Sequence, residues 1–417
     1  MYINSIQIQD FRTFEYAEID FVHPECDFAQ MELPVPQLPN VNLLLGDNGA
    51  GKTTLLKAIA IAALGPAVIA ASLPIYRLIR RAPGEDAKAL AHTEAVIAAG
   101  FTVHEQDKTP EDSALPTLES HMTITRMGDV ELPHWTVLDT KPWEPIYSNA
   151  SDAFFFVGYG VTRRVETKEL VDPGARQASS LVRAQRIRSL FEEAYSLIPF
   201  PVWLPNLETT NPGRFTQVRH LIDHLLNGTG YTFTGGREDG EYLFLHEGLK
   251  VPFPALSDGY RAYLGWIGDL LYHVCYTCPP GKKLVENRGM VMVDEIDLHL
   301  HPKWQMTVLP ALSRALPNVQ FIVTSHSPLV VGSLEWMNIL VMTPGPNQSS
   351  NAERIEEAVH GLDADQVLLT DFFGLETTRA PGKKRKLKEL SLAASTGDAD
   401  AARALIEEMS RGSEKIR

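Results

Sequence analysis

The chain has 417 residues, enough for one large α/β domain with insertions or for two domains. Its hydrophobic residues (44%), charged residues (22%) and mean hydropathy (-0.11) describe an ordinary soluble globular protein that can bury a core. The net charge of -14 argues against a dedicated DNA-binding protein, because any nucleic-acid contact must come from a local basic patch.

The start of the chain and its cysteines favour a cytoplasmic location. Residues 1–14 lack the basic end and apolar core of a signal peptide, and no apolar run approaches membrane-spanning length. We therefore expect a cytoplasmic protein that contacts no membrane. The three cysteines, an odd number, suit a reducing compartment. Cys275 and Cys278 have a CxxC spacing that zinc sites also use, but without a second CxxC we favour packed thiols.

The first predicted elements lead into a glycine-rich loop. Residues 3–12 and 17–21 alternate apolar and polar side chains, which predicts a β-hairpin with its turn near Thr13. Residues 41–45 form a buried strand, and a helical pattern covers residues 55–64. Between them lies the string Gly46-Asp47-Asn48-Gly49-Ala50-Gly51-Lys52-Thr53-Thr54.

This string is a GxxxxGKT phosphate loop in its usual context of strand, loop and helix. Its glycines permit positive φ angles and let backbone N–H groups approach phosphates, and the helix N-terminus favours an anion. Lys52 would reach the β and γ phosphates, and the Thr53 hydroxyl would ligate Mg2+. The alternative is a glycine-rich turn that binds nothing.

The region from 66 to 250 departs from a compact nucleotide-binding core, and we predict an inserted lid or short helical arm. It shows no sustained heptads, so a long coiled coil is not expected. Residues 102–116 are polar and predicted to form a loop. The predicted helices cover 75–81, 86–99, 180–197 and 214–226. The predicted strands cover 121–126, 135–138, 153–157, 231–233 and 242–245.

Glycines and arginines follow the predicted strand at 153–157. The segment 158–164 suits a crevice edge where Arg163 and Arg164 could face phosphates, although a surface turn is an equal alternative. Further arginines at 183, 186 and 188 keep DNA binding possible.

The segment Leu256-Ser257-Asp258-Gly259-Tyr260-Arg261 opens a helix that we predict to run from Ala262. Ser257 would cap this helix, and Gly259 would leave backbone amides open to a ligand. Taken alone, the segment is also explained as a capped helix start.

An apolar run at 289–293 ends in Asp294 and Glu295, which predicts a buried parallel strand that opens into a ligand crevice. In a nucleotide hydrolase the first acid would hold Mg2+ through water, and the second would orient or deprotonate the attacking water. The alternative is a solvated strand end.

The next predicted elements are a helix at 304–315 and a buried strand at 319–324 that ends in Ser325-His326-Ser327-Pro328. His326 could sense or stabilise the γ phosphate, or be a structural hydrogen bonder. Beyond it, helices are predicted at 364–372 and 398–409. The basic run at 383–388 is either a solvated face or a contact for nucleic acid or a partner.

The ordered strings GDNGAGKT, LSDGY, VMVDE and SHSP resemble the ABC ATPase superfamily, and within it the RecF, OLD and SMC-like branch. IQIQDFRTF followed by NVNLLLGDNGAGKTTLLKAI is similar to the start of that branch. DEIDLHLHPKWQ followed by NVQFIVTSHSPLVV is similar to bacterial ATPases found in phage-defence and virulence-associated loci. The resemblance covers residues 1–65 and 253–331 well and the middle poorly.

The resemblance implies an α/β fold: an ABC-type P-loop ATPase head with a mixed sheet, an N-terminal antiparallel β portion and an inserted helical/β lid. The expected segments are 1–65 with the phosphate loop, 66–250 as the insertion, 251–345 with signature and acid pair, and 346–417 as a helical tail. ATP would lie between two subunits, head to tail, in a homodimer or higher oligomer.

The resemblance also implies site residues, with ATP and Mg2+ as ligands. Glu295 and His326 would be catalytic, Ser257 and Gly259 would contact the γ phosphate in trans, and Asp297 would cross the interface. Thr53 and Asp294 would hold Mg2+. The residues expected to contact nucleotide are Gly46, Asp47, Asn48, Gly49, Ala50, Gly51, Lys52, Thr53, Thr54, Ser257, Gly259, Asp297 and Arg12.

The sequence departs from the branch at two motifs. The signature has Asp258 and Tyr260 where LSGGQ is commonest, and no clear Q-loop glutamine exists, so segment 158–164 is the candidate for that region. We expect an ATP-gated dimer that controls a separate effector such as a nuclease, in anti-phage defence. The alternatives are a RecF-like DNA-binding repair factor and a transporter subunit, and the long spacing from Lys52 to Ser257 disfavours the transporter.

Overall fold

The computed structural model describes residues 1–81, 92–104, 107, 117–128, 130–136, 141–147, 155–165, 181–345, 349–378 and 381–410; for 381–384 and 408–410 it describes the backbone alone. Met1–Gly361 form one compact unit and Leu362–Arg417 form a second. None of the described helices combines the length and apolar character needed to cross a bilayer.

The strands in chain order are β1 (Tyr2–Phe11), β2 (Phe14–Asp20), β3 (Val41–Gly46), β4 (Glu94–Thr102), β5 (Thr117–Met127), β6 (Val130–Trp135), β7 (Phe156–Tyr159), β8 (Arg164–Val165), β9 (Ser196–Leu197), β10 (Tyr231–Glu238), β11 (Glu241–His246), β12 (Leu249–Pro252), β13 (Gly289–Val293), β14 (Val319–Thr324), β15 (Ile339–Pro344) and β16 (Ser350–Glu353). The α-helices of the first unit are α1 (Lys52–Leu64), α2 (Ala67–Ala70), α3 (Val182–Ile187), α4 (Phe200–Thr210), α5 (Pro212–Leu225), α6 (Asp258–Thr277), α7 (Pro302–Gln305), α8 (Val308–Ala315) and α9 (Pro328–Val331). Those of the second unit are α10 (Ala364–Leu368), α11 (Pro381–Ser395) and α12 (Ala399–Ser410).

The central sheet is mixed and has the strand order β16-β15-β3-β14-β13-β7. Strands β15, β3, β14, β13 and β7 run parallel, and β16 pairs antiparallel at one edge. Every residue of β13 and β14 is buried, as expected for parallel strands covered on both faces. Because β3, β14 and β13 are neighbours, the loops after their carboxyl ends meet at one edge of the sheet.

A second sheet is antiparallel, with the order β2-β1-β4-β5-β6, and it extends the predicted N-terminal hairpin. Helix α1 contacts β3 and β14 of the central sheet and β1, β4 and β5 of this sheet. It is buried along nearly its whole length, and after its first turn it is apolar except at Lys57, as expected for a helix enclosed between two layers. The predicted α/β fold with a mixed sheet and an N-terminal antiparallel portion is therefore confirmed.

The helix predicted at 86–99 is wrong where the structure describes it, because residues 94–102 form β4. Ala95, Ile97 and Phe101 alternate inward with half-buried neighbours, and β1 and β5 pair with both edges of the strand. The alanines favour helix locally, but pairing on both sides outweighs that preference. The predicted helix at 75–81 is also wrong: the segment is irregular, and Ile79 pairs with Phe11. Residues 86–91 lie outside the described residues.

Two further helix predictions are too long. The predicted helix at 180–197 ends at Ile187 and continues as a 3-10 turn, Arg188–Leu190, which packs Leu190 against Gly158. The predicted helix at 304–315 divides into α7 and α8, because Pro310 has no N–H to donate to the Met306 carbonyl.

The predicted helix at 364–372 is shorter too, with α10 ending at Leu368 before Thr370 and Asp371, which are poor helix formers. The predictions at 214–226 and 398–409 are confirmed by α5 and α12.

The predicted β-hairpins are present, but their strands begin and end at other residues than predicted. Strand β6 covers residues 130–135 and so begins earlier than the strand predicted at 135–138, because Gly128, with φ +64°, makes a tight turn directly after β5. Residues 137 and 138 lie outside the described residues. Strands β10 and β11 meet at Gly240, with φ +82°, and a third strand, β12, extends them into a meander. The predicted strand at 153–157 is β7, Phe156–Tyr159, and residues 153 and 154 lie outside the described residues.

Candidate nucleotide-binding and hydrolysis site

The phosphate loop joins the carboxyl end of β3 to the first turn of α1. Gly51 precedes the helix with φ +100°, and a Cβ there would lie 2.5 Å from the Thr13 hydroxyl oxygen. Gly46 has φ +148°, and its Cβ would lie 2.7 Å from the Met342 carbonyl oxygen. Both positions therefore require glycine for space as well as for backbone conformation.

Lys52 places its ammonium inside this loop. The side chain is 7% exposed, and Nζ donates to the carbonyl oxygens of Gly46 at 2.7 Å and Asp47 at 2.9 Å. Burial lowers the pKa of Lys52, while the carboxylates of Asp294 and Glu295 act in the opposite direction. The loop thus encloses a cation close to the acid pair.

Asp294 connects the phosphate loop with two strands. Its Oδ2 accepts a hydrogen bond from the Thr53 hydroxyl at 2.7 Å, and its Oδ1 accepts one from the Thr324 hydroxyl at 2.7 Å. The carboxylate is 2% exposed. A hydroxyl and a carboxylate side by side are the oxygen donors that Mg2+ prefers, so the predicted pair Thr53 and Asp294 fits the ion.

Glu295 lies in the left-handed backbone region, with φ +49°. Its N–H donates to the Thr324 hydroxyl oxygen at 2.7 Å, and its carbonyl oxygen accepts from Arg163 Nη2 at 2.8 Å. Its side chain is half-buried, whereas Asp294 is buried. The two adjacent acids therefore differ as the predicted roles require: one is held internally and the other is accessible.

Three further residues predicted for this site are His326, Arg12 and Asp297. His326 is half-buried and follows β14, while Ser327 caps α9 and donates to Gln305 Oε1 at 2.7 Å. Arg12 follows β1 with φ +51°, and its Nε donates to the Arg77 carbonyl at 3.1 Å. Asp297 Oδ1 is buried and has no hydrogen-bond partner among the described residues.

The signature segment lies at the start of α6, beside the loop that follows the acid pair. The helix begins at Asp258, four residues before the predicted Ala262, and a Cβ at Gly259 would lie 2.9 Å from the His299 carbonyl oxygen. Ser257 occupies the N-cap position and is exposed, but its side chain makes no capping hydrogen bond, contrary to the prediction. A pocket of about 590 Å³ adjoins both residues.

Two contributors were not identified from the sequence. Thr324 hydrogen-bonds to both acids, and the available signal was a polar residue directly after the apolar run 321–323, at the carboxyl end of β14. Arg163 was noted within the candidate segment 158–164, but its contact with Glu295 depends on β7 pairing with β13.

Two other arginines of the predicted basic set, Arg183 and Arg188, make contacts within the chain. Arg183 Nη1 donates to the Ile146 carbonyl at 2.7 Å, and Arg188 pairs with Glu192 at 2.8 Å. Cys275 and Cys278 are buried, and burial raises the pKa of the Cys275 thiol to about 12.

The parallel sheet edge, the phosphate loop, the acid pair and the signature helix together define an ABC-type P-loop ATPase head. Residues 176–332 match a family model described as "AAA domain, putative AbiEii toxin, Type IV TA system". Residues 5–72 match a model described as "AAA domain". Between them, the two matches contain the phosphate loop, the signature segment, the acid pair and His326.

The chain is similar in sequence to two named proteins. The Septu protein PtuA of Bacillus mycoides (strain KBAB4) is 24% identical over 379 residues, which cover 90% of this chain and 45% of that protein. The Retron Ec83 probable ATPase of Escherichia coli is 39% identical over 90 residues, 22% of this chain and 17% of that protein. The chain spans less than half the length of these relatives.

Among solved structures, an Smc head bound to the C-winged helix domain of ScpA shares the fold, with a TM-score of 0.50 and 14% identity over 85% of this chain and 98% of that one. The shared fold and the sequence similarities above together confirm the resemblance to ABC-type ATPases of the RecF, OLD and SMC-like branch.

Proposed function

We propose that this chain binds ATP with Mg2+ and hydrolyses it. The observation that carries the proposal is the 2.7 Å contact between the Thr53 hydroxyl and Asp294, beside the enclosed ammonium of Lys52. One cation and two neighbouring oxygen donors are what a magnesium-bound triphosphate needs. The names of the relatives, which include a probable ATPase, support the same reaction.

Each group of the site has a proposed part in the reaction. Lys52 and the loop amides bind the β and γ phosphates, and Thr53 and Asp294 would hold Mg2+, which would supply electrostatic stabilisation of negative charge on the phosphate oxygens. Glu295 orients and deprotonates the attacking water, and His326 contacts the γ phosphate. Arg12 is proposed to approach the nucleotide from the end of β1.

We further propose that two copies bind ATP head to tail, with the phosphate loop of one facing Ser257 and Gly259 of the other. Two features support this arrangement: Ser257 is exposed, and the N-terminus of α6 favours the binding of a phosphate. Asp297 would lie at the same interface. Binding would then drive dimerisation and hydrolysis would reverse it, so the nucleotide state would switch the assembly.

The output of this switch is proposed to be control of a separate effector, such as a nuclease, in anti-phage defence. The similarity to Septu and retron proteins, and the DEIDLHLHPKWQ string, support this setting. Leu362–Arg417, a compact unit of its own, is the proposed docking region for the effector. The alternative, a DNA-clamping repair factor, has less support because Arg163, Arg183 and Arg188 already bond within the chain.

Mixing two inactive variants tests hydrolysis and the sandwich together. Lys52→Ala disables the phosphate loop, and Ser257→Arg disables the signature edge, so each variant alone should lack ATPase activity. A mixed dimer contains one intact composite site, so the mixture should recover about a quarter of wild-type activity for freely exchanging two-fold dimers.

The matched control mixes Lys52→Ala with Glu295→Gln, whose defects lie in the same half of the site. No mixed dimer then has an intact composite site, and activity should stay absent. If the first mixture is as inactive as the second while the wild type hydrolyses ATP, the sandwich is rejected. If the wild type itself does not hydrolyse ATP, the catalytic proposal is rejected.

A further inference from the structure

Arg163 leaves the central sheet next to the acid pair. Strand β7 pairs in parallel with β13, and the Asp294 N–H donates to the Tyr159 carbonyl at 2.8 Å. The chain then passes Gly160, where a Cβ would clash with the Ser189 carbonyl oxygen. This close approach fixes the path of the segment that carries Arg163, so the arginine starts from a defined position.

Within the part of the chain that the structure describes, the guanidinium of Arg163 has one hydrogen bond and one aromatic neighbour. Nη2 donates to the Glu295 carbonyl oxygen at 2.8 Å, and the guanidinium carbon lies 5.9 Å from the Trp266 ring centroid. Nη1 is buried and has no hydrogen-bond partner among the described residues. Burial lowers the pKa of Arg163 to about 10, and the nearby carboxylates of Asp294 and Asp297 oppose that shift, so the side chain stays a cation at neutral pH.

The carbonyl group that Arg163 contacts belongs to Glu295, whose backbone conformation is unfavourable. For an L-residue other than glycine, the left-handed region is unfavourable because Cβ lies too close to the following carbonyl oxygen. Glu295, with φ +49°, keeps this conformation between two bonds, its N–H on Thr324 and its carbonyl on Arg163. Removal of either bond frees the backbone that carries the carboxylate, because surroundings must hold such a conformation.

We propose that Arg163 is a positioning residue for hydrolysis, holding the Glu295 main chain so that its carboxylate stays directed at the attacking water. The inference rests on the proposed ATPase function and deepens it. Arg163 acts through Glu295, and binding of the nucleotide depends on Lys52 and the loop. Loss of Arg163 should therefore slow the reaction and leave ATP affinity nearly unchanged.

The test measures kcat, KM and ATP affinity for the full chain carrying Arg163→Met. We expect kcat to fall about 10–100-fold, because small misplacements of a catalytic group cost rates of this order, with KM and affinity within about twofold of wild type. Arg163→Lys, which keeps the charge and a donor, should recover part of the rate. Arg237→Met is the matched control, since Arg237 also has one partner, Glu208, and one ring, Tyr242 at 5.5 Å, away from the site.

A second measurement separates positioning from a general structural role. In a Glu295→Gln background, adding Arg163→Met should leave the residual rate unchanged, because the group that Arg163 positions is already lost. The inference is overturned if the two losses multiply, or if ATP affinity falls with kcat. Should Arg163→Met fail to fold, Arg163→Lys is subjected to the same comparison.

The two proposals fail in different ways. A wild-type chain without ATPase activity refutes the proposed function itself. An active wild type whose kcat is matched by Arg163→Met refutes the positioning role alone.

Discussion

The phosphate-loop edge and the signature edge of this chain are organised differently. At the phosphate-loop edge, hydrogen bonds of 2.7 Å join Thr53, Asp294 and Thr324, and Lys52 donates to two carbonyl oxygens of its own loop. At the signature edge, Ser257 is exposed and makes no capping bond, and the start of α6 adjoins an open pocket. The first edge is therefore preorganised inside one chain, and the second presents a surface.

This difference supports the proposal that ATP hydrolysis and nucleotide-dependent assembly use different edges of the molecule. Preorganised charges and donors stabilise a reacting phosphate without rearrangement at the moment of reaction. A helix start left open to the surface is suited to a ligand carried by another molecule. The comparison therefore supports the proposed roles, with ATP binding and hydrolysis at the phosphate-loop edge and nucleotide-dependent assembly at the signature edge.

Glu295→Gln should have the largest effect. Glutamine keeps the size of the side chain but cannot accept the proton of the attacking water, so kcat should fall about 100–10,000-fold. ATP binding should persist, and the variant should accumulate as an ATP-bound dimer. Mass measured by light scattering with and without ATP checks this, with Glu238→Gln, an exposed surface acid, as control. A mass that ATP leaves unchanged contradicts the division between the two edges.

Lys52→Ala should have the next largest effect, on binding. The variant loses charge-assisted hydrogen bonds to phosphates, each worth about 1.5–3 kcal/mol, so affinity for ATP should fall about 100-fold or more and the ATP-induced dimer should disappear. Titration with a fluorescent ATP analogue measures the affinity. Lys250→Ala, which removes an exposed lysine paired with Glu238, should bind as the wild type does. Equal affinities in the two variants would remove Lys52 from the site.

The elements of the site that the sequence predicts correctly are those whose signal is local. Strands β3, β13 and β14 each combine a short buried run with polar residues at the carboxyl end, so their type and the position of the crevice could be inferred together. The phosphate loop adds glycines whose backbone conformation the structure requires, as Gly51 shows. The sequence signals for these strands and for the phosphate loop each lie within a few consecutive residues.

The features that could not be predicted depend on segments distant in sequence. Residues 94–102 become a strand because β1 and β5 flank them, although their alanines favour helix. Arg163 reaches Glu295 only because β7 pairs with β13, and Thr324 supports both acids only because β14 lies beside β13. Strand order is set by packing of the whole unit, which single-sequence patterns do not encode.

Thr324→Val and Ser257→Ala sharpen the comparison through stability, where the effects are smallest. Valine removes the hydroxyl that serves Asp294 and the Glu295 N–H, leaving buried polar groups without a partner, so the free energy of unfolding should fall by about 1–3 kcal/mol. Ser257→Ala removes an exposed hydroxyl without a capping bond and should change it by less than about 0.5 kcal/mol. Urea denaturation measures both, and Thr324→Ser, which keeps the hydroxyl, should lie between them. Equal losses at the two positions would mean that the signature edge is as internally bonded as the phosphate-loop edge, and the assignment of that edge to a second molecule would lose its physical basis.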